Sequence, residues 1–358
     1  MADTLVQPLY KLLLSNPQVL FTTIMLFFRL TISSVSVEIL PSGWTSSTAN
    51  PHEPFEFTEN NLGIPKNIFY GIYVAAIKRF DALLATDRAT VDKDELQLVT
   101  GIVLLGNPGH FTALNRRKEL VRRGFLSEED ELRVTAAWQL RSEGAKSSIL
   151  WHHRRWLLRR RYSPSAVEEG TIDTLDGCSL PVQVFSNELA VATSASEIYP
   201  RNYHSWLHRM KCLTAISQGS EDPNIPEAYA QILRAEEFMI KRWIESHVSD
   251  YTAMQYMCRL YAAMETHAIQ HIQTHADPGE LLGEEKTDID SKSAFSPLSH
   301  AIELVRRYPT HEALWYYLRS AYASQVALGT VRQNMQELQG INEEYWKNFE
   351  RWKVGFSH

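Results

Sequence analysis

From Asn67 onward, apolar residues recur every three to four positions in stretches of helix length, separated by short turns carrying Pro, Gly, Asn or Asp. That period predicts a succession of amphipathic α-helices rather than strands. The clearest stretch is Asn187 to Tyr199, with Leu189, Ala192, Ala195 and Ile198 along one stripe and Pro200 as its stop. The next stretch sets Tyr203, Trp206, Met210 and Leu213 on one face, and Asn202 stands where an N-cap would accept from an orphan backbone N–H. Two such stripes facing each other predict a helical hairpin.

The hairpin recurs. NPGHFTALNRRKEL, GAKSSILWHHRRWLL, YPRNYHSWLHRMKCL and YPTHEALWYYLRSAY each place a Pro or small residue six positions before a bulky one, and HVSDYTAMQYMCRLY is a weaker copy. The anchors are Leu114, Trp151, Trp206, Met254 and Trp315, spaced 37, 55, 48 and 61 residues apart. This fits a unit of about 40 residues with insertions in the longer gaps. A single hairpin cannot bury so much aromatic surface, so neighbouring hairpins must stack. The expected fold is all-α: an α-α superhelix, a crescent-shaped solenoid of antiparallel helical hairpins over residues 67–358. The acidic, breaker-rich stretch Asp277 to Lys292 is expected to be a loop.

The first 66 residues read differently. Leu20 to Leu30 is the most apolar window, yet Arg29 interrupts it and a Ser/Thr-rich stretch follows, so it falls short of the roughly 20 residues a membrane span needs. Asp3 and Lys11 precede a late apolar run, which does not suit a cleaved signal. Pro41 to Pro65 reads as an extended linker, and residues 1–66 are expected to be irregular.

Composition adds exclusions. Apolar residues make up 44% of the 358, which rules out wholesale disorder. With 36 Lys and Arg against 42 Asp and Glu the formal charge is −6, so the chain carries no global basic field for nucleic acid. The three cysteines, Cys178, Cys212 and Cys258, form no C-x-x-C pair, so neither a disulfide framework nor a thiolate zinc site is indicated. A cytoplasmic location is expected.

At PRNYHSWLHR and KSSILWHHRRW the chain resembles the protein prenyltransferase α-subunit repeat, P-x-N-Y-x-x-W-x-x-R, whose second copy reads W-H-H-R-R. The likeness covers about Asn107 to Tyr322. Arg recurs three residues after the anchor at Arg117, Arg154 and Arg209. Departures are visible too: Leu114 and Met254 replace Trp, Ser147 and Ser148 replace the Asn and Tyr of the second copy, and Arg319 stands one place late. This decay resembles the α-subunit repeat-containing branch.

The resemblance implies the α subunit of a heterodimeric protein prenyltransferase, transferring a farnesyl or geranylgeranyl group to a protein cysteine. It implies a β subunit that carries zinc, with magnesium as a further expected ion of the complex, and no metal in this chain. It further implies that Lys146 and His204 act on the isoprenoid diphosphate as catalytic residues, and that Asn202 and Tyr203 line the same mouth. Donors of this kind stabilise charge building on a diphosphate leaving group.

Other readings compete. Lys146 also suits a solvated helix start, and Arg154 and Arg209 suit bridges between hairpins. His204 and His208 are four apart as in zinc helices but lack a third ligand, and His267, His271 and His275 share a polar face. Part of the arginine cluster at 116–123 and 154–161 complements helix C-termini. A non-catalytic helical-repeat scaffold is the alternative function. RNA binding by the basic cluster lacks a repeated base-reading pair, so no nucleic-acid partner is expected.

Overall fold

The computed structural model describes residues 2–15, 37–41, 43–44, 53–58, 61–163, 173–216, 224–275, 296–329 and 335–356. The Leu20 to Leu30 window and the Asp277 to Lys292 stretch lie outside these residues. The chain divides into two compact units, Met1–Ser217 and Gln218–His358.

The all-α architecture expected from the sequence holds. In the first unit α1 (Ala2–Ser15) and α2 (Lys66–Leu84) precede three hairpins: α3 (Lys93–Gly106) with α4 (Phe111–Arg122), α5 (Glu128–Gln139) through short α6 (Ser142–Ala145) with α7 (Ser148–Tyr162), and α8 (Val182–Ile198) with α9 (Tyr203–Leu213). The second unit contains the hairpins α10 (Asn224–Ser246) with α11 (Tyr251–His275) and α12 (Pro297–Arg307) with α13 (Glu312–Ala327). A 3₁₀ turn (Gln336–Gly340) and α14 (Glu343–Phe356) follow. Each anchor sits in the second helix of its hairpin, and all five are buried. The N-termini are built as the sequence chemistry dictates. Asp92 accepts from the N–H groups of Asp94 and Glu95 at 3.0 and 3.1 Å, and Ser127 accepts from Asp130 at 3.0 Å.

The N-terminal segment departs from expectation. Instead of an irregular lead-in, α1 packs on α2, α3 and α5, burying Val6, Leu9, Tyr10 and Leu13. The expected linker contributes strands β2 (Glu56–Thr58) and β3 (Asn61–Pro65), which join β1 (Val37–Leu40) in the order β1-β3-β2, parallel and then antiparallel. The reason is local burial. Phe55, Leu62 and Ile64 lie between polar breakers but close the core beneath α2.

Gly101 of α3 shows how tightly α1 is seated. A Cβ there would come within 2.6 Å of the Tyr10 ring, while the Tyr10 hydroxyl accepts from the Arg117 guanidinium at 3.0 Å. Gly101→Ala should therefore lower the unfolding free energy by about 1–3 kcal/mol, the usual cost of overpacking a filled core. Urea denaturation would show it, and an unchanged midpoint would mean α1 does not stay on α3.

Candidate functional site

The spacing of six between the turn residue and the anchor has a physical cause. A buried indole N–H needs an acceptor, and the carbonyl six residues back supplies it: Trp151 Nε1 donates to Ala145 O at 2.7 Å and Trp315 Nε1 to Pro309 O at 2.9 Å. Four residues before each anchor stands the N-cap. His110 accepts from Ala113 at 3.2 Å, Asn202 from His204 and Ser205 at 3.1 and 3.3 Å, and Asp250 from Ala253 at 3.4 Å. Thus one short turn fixes both the start of the second helix and the depth of its anchor.

The expected mouth residues gather around two of these turns. Lys146 caps the C-terminus of α6 and is exposed; its ammonium lies 5.6 Å from the centroid of the Tyr199 ring. Tyr203 opens α9 with half its surface exposed, and its ring meets that of His204 edge-on at 5.4 Å. His204 is half-buried. Burial lowers its pKa and the nearby Arg155 lowers it further, against Asp173, so the imidazole is held towards its neutral form.

Asn202 serves as both a cap and a tie. It is buried, and both ends of its side chain are occupied: Oδ1 caps α9, while Nδ2 donates to Ala145 O at 2.8 Å and Ala195 O at 3.2 Å. The Asn202 amide is thus engaged within the protein. It ties the turn of one hairpin to the turn of the next.

The arginines separate into two groups. Arg154 is buried and forks onto Glu188 at 2.6 and 2.7 Å, while its Nη1 donates to Leu132 O and Thr135 Oγ1 at 2.8 and 3.0 Å. His208 donates to the same Glu188 at 2.9 Å. One hairpin earlier the pattern is the same: Arg117 holds Glu131 at 2.5 Å and His153 bonds it at 2.8 Å. Arg209 is buried as well and donates to Leu189 O at 3.0 Å and to Thr193. In the second unit the corresponding carboxylate, Glu236, accepts from Tyr256 at 2.9 Å. Each carboxylate lies on the first helix of its hairpin and each His or Tyr two residues after the anchor on the second.

Other members of the basic cluster are drawn into carboxylate pairs, Arg155 itself buried and the rest nearer the surface. Arg155 binds Asp173 at 2.6 and 2.8 Å, Arg160 binds Glu128 at 2.9 Å, and Arg116 and Arg123 bind Glu119 at 3.1 and 2.9 Å.

Glu131, Glu188 and Tyr199 were not among the residues singled out from the sequence. A signal existed. Glu131, Glu188 and Glu236 stand 20, 18 and 18 residues before their anchors, and a tyrosine precedes Trp206 and Trp315 by seven.

Metal ligation finds no support in the histidine spacing, since His208 is committed to Glu188. Among the described residues no three His, Cys, Asp or Glu side chains assemble as a metal site. His267, His271 and His275 fall in α11 where only the backbone is described. No helix among the described residues is long and apolar enough to cross a membrane.

Residues 185–216, which contain the Trp206 anchor and the Asn202 cap, match the protein prenyltransferase alpha subunit repeat. Over a longer range the chain is similar to protein prenyltransferase alpha subunit repeat-containing protein 1 of Danio rerio, 29% identical over 75% of this chain and 64% of that relative. The Homo sapiens protein of the same name is 26% identical over 81% of this chain and 74% of its own length. Xenopus laevis repeat-containing protein 1-A is 25% identical, with coverage of 75% and 64%. The matched region thus spans slightly under two thirds of the fish and frog relatives. One stretch of the chain matches the protein prenyltransferase alpha subunit repeat, and over most of its length the chain is similar to the repeat-containing proteins named for it.

Proposed function

We propose that this chain is the α-type subunit of a heterodimeric protein prenyltransferase, inactive alone. It would work with a zinc-bearing β-type partner to transfer a farnesyl or geranylgeranyl group to a protein cysteine in the cytoplasm. The observation that carries this reading is that Asn202 ties the turn bearing Lys146 to the turn that opens the helix of Tyr203 and His204, within a chain whose residues 185–216 match the prenyltransferase α-subunit repeat.

In the transfer, the C–O bond of the allylic diphosphate breaks and a C–S bond to the acceptor cysteine forms. The electron pair of the broken bond leaves on the diphosphate. Zinc in the partner would supply the acceptor as a thiolate. Lys146 would meet the charge gathering on the leaving group as a fixed cation, and His204 as an N–H donor. Asn202 would act by holding the turn, not by touching substrate.

Co-expression with a β subunit is expected to give a stable heterodimer that transfers an isoprenoid to a cysteine-tailed protein. Lys146→Ala should lower turnover about tenfold or more while leaving the complex intact. An unchanged rate would remove Lys146 from the chemistry, and a monodisperse monomer in the presence of β would refute the subunit role.

Ser148, where a tyrosine is expected, and the occupied Asn202 favour a second reading, a helical-repeat scaffold without a transfer role. A stable pair that forms but transfers nothing would decide for the scaffold.

A further inference from the structure

Building on that reading, we infer that Tyr199 is a positioning residue for Lys146: the second hairpin of the first unit supplies the cation and the third aims it. Among the described residues the Lys146 side chain makes no hydrogen bond or ion pair, and a lysine left to itself spreads its charge over many rotamers. The structure restrains it from two sides.

The first restraint is on the backbone. The carbonyl of Ala145, immediately before Lys146, accepts both the Trp151 indole N–H at 2.7 Å and the Asn202 amide at 2.8 Å. Asn202 donates in addition to Ala195 O at 3.2 Å, and the same carbonyl accepts the backbone N–H of Tyr199 at 3.1 Å. One buried amide therefore links the chain beside Lys146 to the helical turn that ends at Tyr199. Their separation is set by two hydrogen bonds rather than by a flexible loop.

The second restraint is on the side chain. The Lys146 ammonium stands over the Tyr199 ring, within the range in which the ring face attracts a cation. Tyr199 remains 37% exposed, so the ring is only partly spent on the core and offers a wet surface to a charged neighbour. Tyr203 and His204 follow within the next turn. A ring at this place holds the ammonium at the end of the helix whose following turn leads into Tyr203 and His204.

The test reads the contact and its consequence separately. Reductive ¹³C-methylation gives every lysine a dimethylamino signal, and Lys146→Arg identifies the one that disappears. That signal should be ring-shifted in the folded chain. It should stay shifted in Tyr199→Phe and move to the position of a free lysine in Tyr199→Leu, with the unfolding midpoint unchanged.

In the reconstituted heterodimer Tyr199→Leu should lower kcat about two- to fivefold, the worth of a cation–π contact at an exposed site. KM for the protein acceptor should not change, Tyr199→Phe should restore the rate, and Lys146→Ala with Tyr199→Leu should be no slower than Lys146→Ala alone.

An unshifted signal, a shift that survives Tyr199→Leu, or rate losses that multiply in the double variant would each overturn the assignment. If the wild-type pair transfers nothing, the proposed enzyme falls while the methyl signal still decides whether Tyr199 seats the lysine.

Discussion

Glu188→Ala is expected to lower the unfolding free energy by about 3–5 kcal/mol, because it strands a buried guanidinium. Arg154 would keep its bonds to Leu132 and Thr135 but lose the carboxylate that balances its charge, and His208 would lose its acceptor. Arg154→Met combined with Glu188→Leu should cost less than either single change, since an apolar pair of similar volume removes the stranded charge along with the bridge. A urea-based double-mutant cycle measures this. A Glu188→Ala loss below about 1 kcal/mol, the range of an exposed pair, would show that the bridge is wet.

The same brace gives a signed pH dependence. Burial opposes the charge on Glu188, yet Arg154 and the His208 hydrogen bond hold its pKa at about 2. This is a depressed carboxylate, so its contribution is present above the unfolded value near 4.5 and is lost as pH falls towards 2. Burial also pushes His208 down to about 4, against the pull of Glu188. The unfolded imidazole takes its proton near 6.5 and the folded one does not, so stability falls from that pH downwards. Both effects have the same sign. Acid should destabilise the first unit progressively below about pH 6.5, and His208→Phe should make the upper part of that slope shallower, the remainder coming from His152, His153 and His204, whose pKa values burial also lowers.

Gly144→Ala is expected to be the other severe substitution. A Cβ on Gly144 would overlap the Trp138 carbonyl oxygen and approach its carbon to 2.7 Å. Unlike a side chain, that carbonyl cannot swing away, so α6 must move. The cost should reach the upper end of the overpacking range, about 3 kcal/mol. The displacement is inherited by Ala145 and Lys146, so transfer by the reconstituted pair should fall as well. Gly109→Ala is the control: its Cβ would meet only the Asn107 side chain at 3.4 Å, and its effect should stay within about 0.5 kcal/mol. Equal effects at the two glycines would contradict the packing described.

The legible parts of this chain are those specified locally. Helical period, the Pro200 stop, the Asn202 cap and the anchors all act within a few residues, and the structure places them in five hairpins. Residues whose meaning depends on distant partners were illegible. Glu188 in sequence is one more carboxylate on a helix, and only Arg154, 34 positions away, makes it a brace. Asn202 read as a cap and is one, but its amide nitrogen reaches 57 positions back, and no pattern in a single chain announces that bond. The N-terminal helix was hidden for a different reason. Val6, Leu9, Tyr10 and Leu13 keep helical spacing, but Pro8 among them reads as a breaker, although α1 runs through it.

The tie from indole to turn carbonyl separates where this architecture can drift from where it cannot. A tryptophan anchor must keep its turn at fixed length, because one residue more or less moves the acceptor out of reach of the N–H. Leucine and methionine have no N–H to place, so the turns before Leu114 and Met254 are released from that constraint. The anchor spacings are free to differ between hairpins, while the six-residue interval at Trp151 and Trp315 is a ruler set by the reach of the indole N–H.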